Sequence, residues 1–129
     1  MYQNAIEDIF DDIYTAVTTR FASADLATCY VNQPANFPHV QMWEESNTAG
    51  VRDMNLSGDE CYSNLVIHFE VFDNMLDGAG ADNVREIFSI IDPIMRRKGY
   101  RRTYYAPVAN FSDASIYRQI ARYSRKQPN

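Results

Sequence analysis

Apolar residues recur every three or four positions across residues 4–21, where Ile6, Ile9, Phe10, Ile13, Val17 and Phe21 build one stripe and predict an amphipathic helix. Glu7, Asp8, Asp11 and Asp12 fall on the other face and crowd its N-terminal half, where the helix dipole favours negative charge. From Ser23 to Pro38 the pattern loosens; Pro34 and Pro38 punctuate it, and Thr28–Val31 is the β-capable piece. Alternation then takes over. His39–Glu45 reads as a strand with Val40 and Met42 on one face and Gln41 and Trp43 on the other. In Tyr62–Phe72, the clearest strand, Leu65, Ile67, Phe69 and Val71 alternate with Asn64, Val66, His68 and Glu70. The first set is expected to face the helices, and His68 to be a surface or interface residue.

Between these strands, residues 46–60 are rich in Ser, Asn, Gly and Asp and read as a long loop or hairpin tip. Loops of that length in a compact domain are more often functional than idle. A turn over Asp73–Gly80 leads to Asp82 as a helix N-cap. The second helix runs to about Lys98, with Val84, Ile87, Phe88, Ile91, Ile94 and Met95 as its core stripe. Pro93 is expected to kink its last turn. Arg96, Arg97 and Lys98 suit the C-terminal dipole, and Gly99 suits the left-handed residue that ends a helix.

The remainder reads as a hairpin, Tyr100–Val108 and Ala114–Arg125 around a turn at 110–113. On the return strand Arg118 and Arg122 share a face with Ile116, Ile120 and Ser124, so that side is no plain core. The other face carries Tyr117, Gln119, Ala121 and Tyr123, and either can meet the helices. The order of elements predicts one α+β domain, an antiparallel or mixed β-sheet with two α-helices packed on one face.

Charge changes the picture. Of 12 basic residues, nine lie from Arg96 onward, with Asp113 as the one acid there. Residues 1–95 then carry −13 and the rest +8, recovering the net −5 of the 129-residue chain. Such sorting suits a subunit whose acidic surface docks on a neighbour's basic surface, or whose basic surface faces nucleic acid. Nine tyrosines add a tilt towards interfaces.

Candidate chemistry is sparse. The start has no basic segment leading into an apolar stretch, so no secretory signal is expected, and no apolar run is long enough for a bilayer. Cys29 and Cys61 lack ligand-spaced partners and read as reduced thiols, with a disulfide between them as the alternative. Asp53, Asn55, Ser57 and Gly58 imitate half a calcium loop, but its twelfth position is Asn64. His39 and His68 are too few for a transition-metal site. No GxSxG, Walker A, GxGxxG or HExxH pattern occurs, and neither an enzyme nor a cofactor is expected. Tyr100, Tyr104, Tyr105, Tyr117 and Tyr123, interleaved with arginines, permit a nucleic-acid-binding domain. A sequence pI near 4.9 speaks against an autonomous one.

Four stretches, FPHVQMWEESN (37–47), ECYSNLVIHFEVFDN (60–74), IDPIMRRKGY (91–100) and PVANFSDASIYRQIARY (107–123), follow one another as in a known family. The most specific pieces are Ile91-Asp92-x-x-Met95-x-x-x-Gly99-Tyr100-Arg101 and Asp113-x-Ser115-Ile116-Tyr117-Arg118 leading to Arg122-Tyr123. Over roughly residues 4–126 the chain resembles the tail-terminator, or tail-completion, proteins of long-tailed bacteriophages. The resemblance implies a virion structural protein with no catalytic residue. It would close into a homo-oligomeric ring, expected to be a hexamer, on the head-proximal end of the tail tube, and assemble in the host cytoplasm. Its partners would be the tail-tube protein and a head-completion or connector protein, with genomic DNA passing through the ring and no membrane. Pro93 in the second helix and Asp77–Gly80, in place of the usual small-residue and lysine turn, depart from the family pattern.

A ring joins unlike faces of successive subunits. The interface or DNA-channel candidates are therefore Arg96, Arg97, Lys98, Arg101, Arg102, Arg118, Arg122, Arg125 and Lys126. The acidic candidates to meet them are Glu7, Asp8, Asp11, Asp12, Glu44, Glu45, Asp53, Asp59 and Glu60. The rival within the same class is another neck protein, a head-closure protein or connector adaptor.

Overall fold

The two apolar stripes become the inner faces of two helices laid on one side of a five-stranded sheet. The computed structural model describes residues 5–29, 36–49, 62–74, 79–108 and 116–128. In chain order the elements are α1 (Ala5–Arg20), β1 (Asp25–Ala27), β2 (His39–Ala49), β3 (Tyr62–Asp73), α2 (Ala79–Arg97), β4 (Arg101–Val108) and β5 (Tyr117–Pro128). The sheet order is β1-β2-β3-β5-β4. β1 pairs parallel with β2 and every other pairing is antiparallel, so the fold is α+β with a mixed sheet.

Alternation decides the inner face. Val40 and Met42 of β2, Leu65, Ile67, Phe69 and Val71 of β3, and Ala121 and Tyr123 of β5 are buried beneath the helices. Ile9, Ile13 and Val17 of α1 meet them, with Val84, Ile87, Phe88, Ile91 and Met95 of α2. Each such side chain contributes about 1.5–3 kcal/mol by leaving water. Tyr123 packs edge-on to Phe69 at 5.5 Å, and its hydroxyl donates to Asp92 Oδ1 at 2.9 Å. Burial first, and then that bond, raise the Tyr123 pKa above its ordinary value.

Ion pairs tie the helices together antiparallel, Arg20 to Glu86 at 2.7 Å and Lys98, just past α2, to Asp12 at 2.8 Å and Asp8 at 3.5 Å. α2 ends as Gly99 predicts. Its φ of 89° lets the Gly99 N–H reach the Arg96 carbonyl and the Tyr100 N–H reach that of Met95, both at 3.0 Å.

Pairing moved several boundaries. β1 covers Asp25–Ala27 instead of Thr28–Val31, because Asp25 and Leu26 are registered on His39 and Val40 at the start of β2. Thr28 and Cys29 bend away, and the rest of that predicted strand lies outside the described residues. β2 runs past a bulge between Glu44 and Ser46 to Ala49, pairing residues 46–49 with 63–66 of β3. Backbone pairing outweighs the weak strand propensity of Ser and Asn there. The helical first turn reaches back to Ala79, which places Asp82 inside α2, paired with Arg85 at 3.3 Å, and not at its cap. The helix continues past the exposed Pro93 to Arg97. β5 begins at Tyr117, not Ala114. The turn at 110–113, the calcium-like Asp53, Asn55, Ser57 and Gly58, and Cys61 lie outside the described residues.

Candidate functional site

The sheet face opposite the helices is polar and largely buried. His39, Gln41, His68 and Glu70 alternate with the core residues of β2 and β3, and all four are buried. Register sets Gln41 opposite Glu70 and Trp43 opposite His68, with Arg122 on the far side of His68. The Gln41 amide donates to Glu70 Oε2 at 3.1 Å, so its carbonyl oxygen is left to accept from His39 Nε2 at 3.1 Å. His68 Nε2 meets Glu70 Oε1 at 3.0 Å, and the His68 ring stacks on Trp43 with centroids 4.4 Å apart. Arg118 grips Glu70 in two-pronged fashion, Nε to Oε2 at 3.0 Å and Nη2 to Oε1 at 2.9 Å. Burial opposes the Glu70 charge, yet the hydrogen bonds from His68 and Arg118 and the Arg118 charge hold its pKa below the ordinary value.

At its margins the network meets two more carboxylates. His39 Nδ1 lies 3.5 Å from Asp25, and His68 Nδ1 lies 3.6 Å from Glu45, whose Oε1 also accepts from Arg122 at 3.2 Å. Hydrogen-bonded polar groups therefore cross β2, β3 and β5, and Asp25 of β1 adds a carboxylate beside His39. Chemically, the arrangement fixes charges in place and locks strand register, since a one-residue slip would strand every partner.

His68 is thus no surface residue: it is buried against Trp43 and bonded to Glu70. The charge that is sorted along the sequence is mixed in space. Lys98 lies 3.5 Å from Asp8 and 2.8 Å from Asp12, and bonding to Asp12 raises the lysine's pKa. Arg96 pairs with Asp92 at 2.6 Å. Arg118 and Arg122 pair with Glu70 and Glu45, and the Arg122 guanidinium lies 4.8 Å from the Tyr104 ring centre. Arg125 donates to the Lys98 carbonyl at 2.8 Å and lies over the Tyr100 ring. Glu44 is half-buried near Tyr100. These candidates meet partners within their own chain because α1 packs beside the end of α2, and β5 packs beside β3.

Glu7 and Asp11 on α1, Arg97 at the end of α2, Arg101 and Arg102 on β4, and Lys126 on β5 are also exposed. Asp53, Asp59 and Glu60 lie outside the described residues. Of the five tyrosines of a stacking platform, Tyr100 and Tyr123 are buried and Tyr117 packs against the core, which leaves Tyr104 and Tyr105 exposed.

Sequence reasoning missed the Gln41–Glu70–Arg118 junction. Its signal is visible as polar residues at alternate positions of two strands that are otherwise apolar. Choosing partners among them required the register. No protein-family model matches this sequence, and no curated protein matches it either.

Proposed function

We propose that this chain is a structural subunit of the head–tail junction of a long-tailed bacteriophage, a tail terminator that caps the head-proximal end of the tail tube as a hexameric ring. The observation that carries the reading is how the two stretches behind the resemblance meet. Asp92, Met95 and Gly99 end α2, while Arg118, Arg122 and Tyr123 lie on β5, and the Tyr123–Asp92 bond joins the two stretches. The resemblance thus falls on a coherent junction and not on scattered surface positions. Exposed basic groups such as Arg97 supply weak, sequence-independent attraction for a passing phosphate backbone.

The test is to add purified protein to growing tail tubes of the phage that encodes it. Tubes should stop lengthening, and negative-stain images should show a ring at one end. Sedimentation with the portal-side connector and not with tubes would assign the chain to head closure. Steeply salt-dependent DNA binding by single copies, without tube binding, would replace both readings with a nucleic-acid-binding domain.

A further inference from the structure

Three large hydrophobic side chains exposed among the described residues stand at opposite ends of the molecule. Tyr14 is 47% exposed, Tyr104 42% and Tyr105 37%. β1 closes one edge of the sheet and β4 the other. α1 lies on the β1 side and α2 on the β4 side, so each lateral end presents one helix and one edge strand.

These ends are unlike. The α1–β1 end holds a groove of about 720 Å³ whose floor includes Ile6, Phe10 and Leu26, bordered by Glu7, Asp11 and the exposed Cys29. Tyr14 extends this apolar strip, its ring 5.8 Å from that of Phe10. Among the described residues no lysine or arginine lines the groove, and neither Glu7 nor Asp11 has an ion pair. At the other end, Tyr105 stands edge-on to Phe88 at 5.2 Å with the Arg102 guanidinium 4.3 Å from its ring centre, and the exposed Arg85 lines the same surface with Asp92, whose carboxylate is already held by Arg96 and Tyr123.

We infer that the α1–β1 groove of one copy receives the Tyr105–Arg102 corner of the next, with Glu7 and Asp11 facing Arg85 and Arg102. The inference deepens the ring reading above and rests on it for the number of copies. Its own support is complementarity: acid-bordered apolar groove at one end, aromatic and basic corner at the other. Side chains carry the contact. β1 offers only three residues for strand pairing, and Pro107 in β4 has no N–H to donate. Because the two patches differ, the contact is head-to-tail and propagates until a ring closes.

The experiment is a charge swap read by sedimentation at low salt. One variant carries Glu7→Arg and Asp11→Arg, the other Arg85→Glu and Arg102→Glu. All four residues are exposed, and each variant is first shown to melt as the parent does. The parent should self-associate with rising concentration, and each variant alone should do so roughly tenfold or more weakly. An equimolar mixture should recover association, because the reversed groove of one then matches the reversed corner of the other. A second readout needs no change at either end: in a Cys61→Ser background, maleimide labelling of Cys29 should slow as the copies associate. A parent that stays single at high concentration, variants that associate like the parent, or a mixture that fails to recover would each overturn the inference. Failure here is separable from failure of the function. Variants that still cap tail tubes would remove this interface alone, and copies that join as inferred but ignore tubes would remove the terminator role alone.

Discussion

The two faces of the sheet are held by different physics. Beneath the helices, Val40, Leu65, Ile67, Phe69 and Ala121 are joined by non-directional apolar burial, which tolerates small adjustments. On the opposite face, His39, Gln41, His68 and Glu70 are just as buried, but each needs a named partner at hydrogen-bond distance. The first face supplies most of the stability. The second specifies which residue stands opposite which.

The largest effect is expected on the apolar face. Phe69→Ala should cost about 3–5 kcal/mol in denaturant unfolding, because the neighbouring side chains cannot collapse fully into the space. On the polar face, Arg118→Leu should cost about 3 kcal/mol by leaving the Glu70 carboxylate buried without its cation. The paired change Arg118→Leu with Glu70→Leu should recover most of that loss. A double variant no better than the single would make Glu70 important in its own right, and the contrast between the faces would fail.

Acid and alkali should attack the faces separately. The folded pKa of Glu70 is lowered, so its contribution is complete well above the ordinary value of 4.5 and is lost as pH falls through the depressed one. Stability measured against pH should therefore show an acid-side decline that Glu70→Gln flattens. The Tyr123 pKa is raised instead, so its contribution is complete below the ordinary value of 10.0 and declines as pH rises beyond it. Tyr123→Phe should flatten that alkaline limb, and it should alter the acid limb only through Asp92, whose lowered pKa its hydroxyl helps to hold. Swapped limbs would mean that the two groups are not the ones titrating.

Smaller changes sharpen the comparison at its edges. Gly99→Ala should cost about 1–2 kcal/mol, since a Cβ is disfavoured at positive φ and would lie 3.4 Å from Arg125 Cδ. Lys98→Ala should stay within about 1 kcal/mol and shrink further in salt, because its partners Asp8 and Asp12 are well exposed.

Much of the fold was legible because apolar spacing reports one face of one element at a time. The stripes of α1 and α2, the inward set Leu65, Ile67, Phe69 and Val71, and Gly99 as the end of α2 all follow from local pattern. The charged residues misled for the same reason. Arg118 and Arg122 looked like surface groups awaiting a neighbour, because their partners Glu70 and Glu45 lie 48 and 77 positions away.

The amino-acid order by itself determined the kinds of element, their sequence along the chain and which side of each is apolar, since periodicity is a property of neighbours in the chain. Tertiary structure decided the rest: that β1 runs parallel to β2, that β5 inserts between β3 and β4, and that acid and base meet within one subunit. Strand pairing joins distant residues at about 4.8 Å spacing, and electrostatic interactions depend on distance through space, which no local pattern encodes.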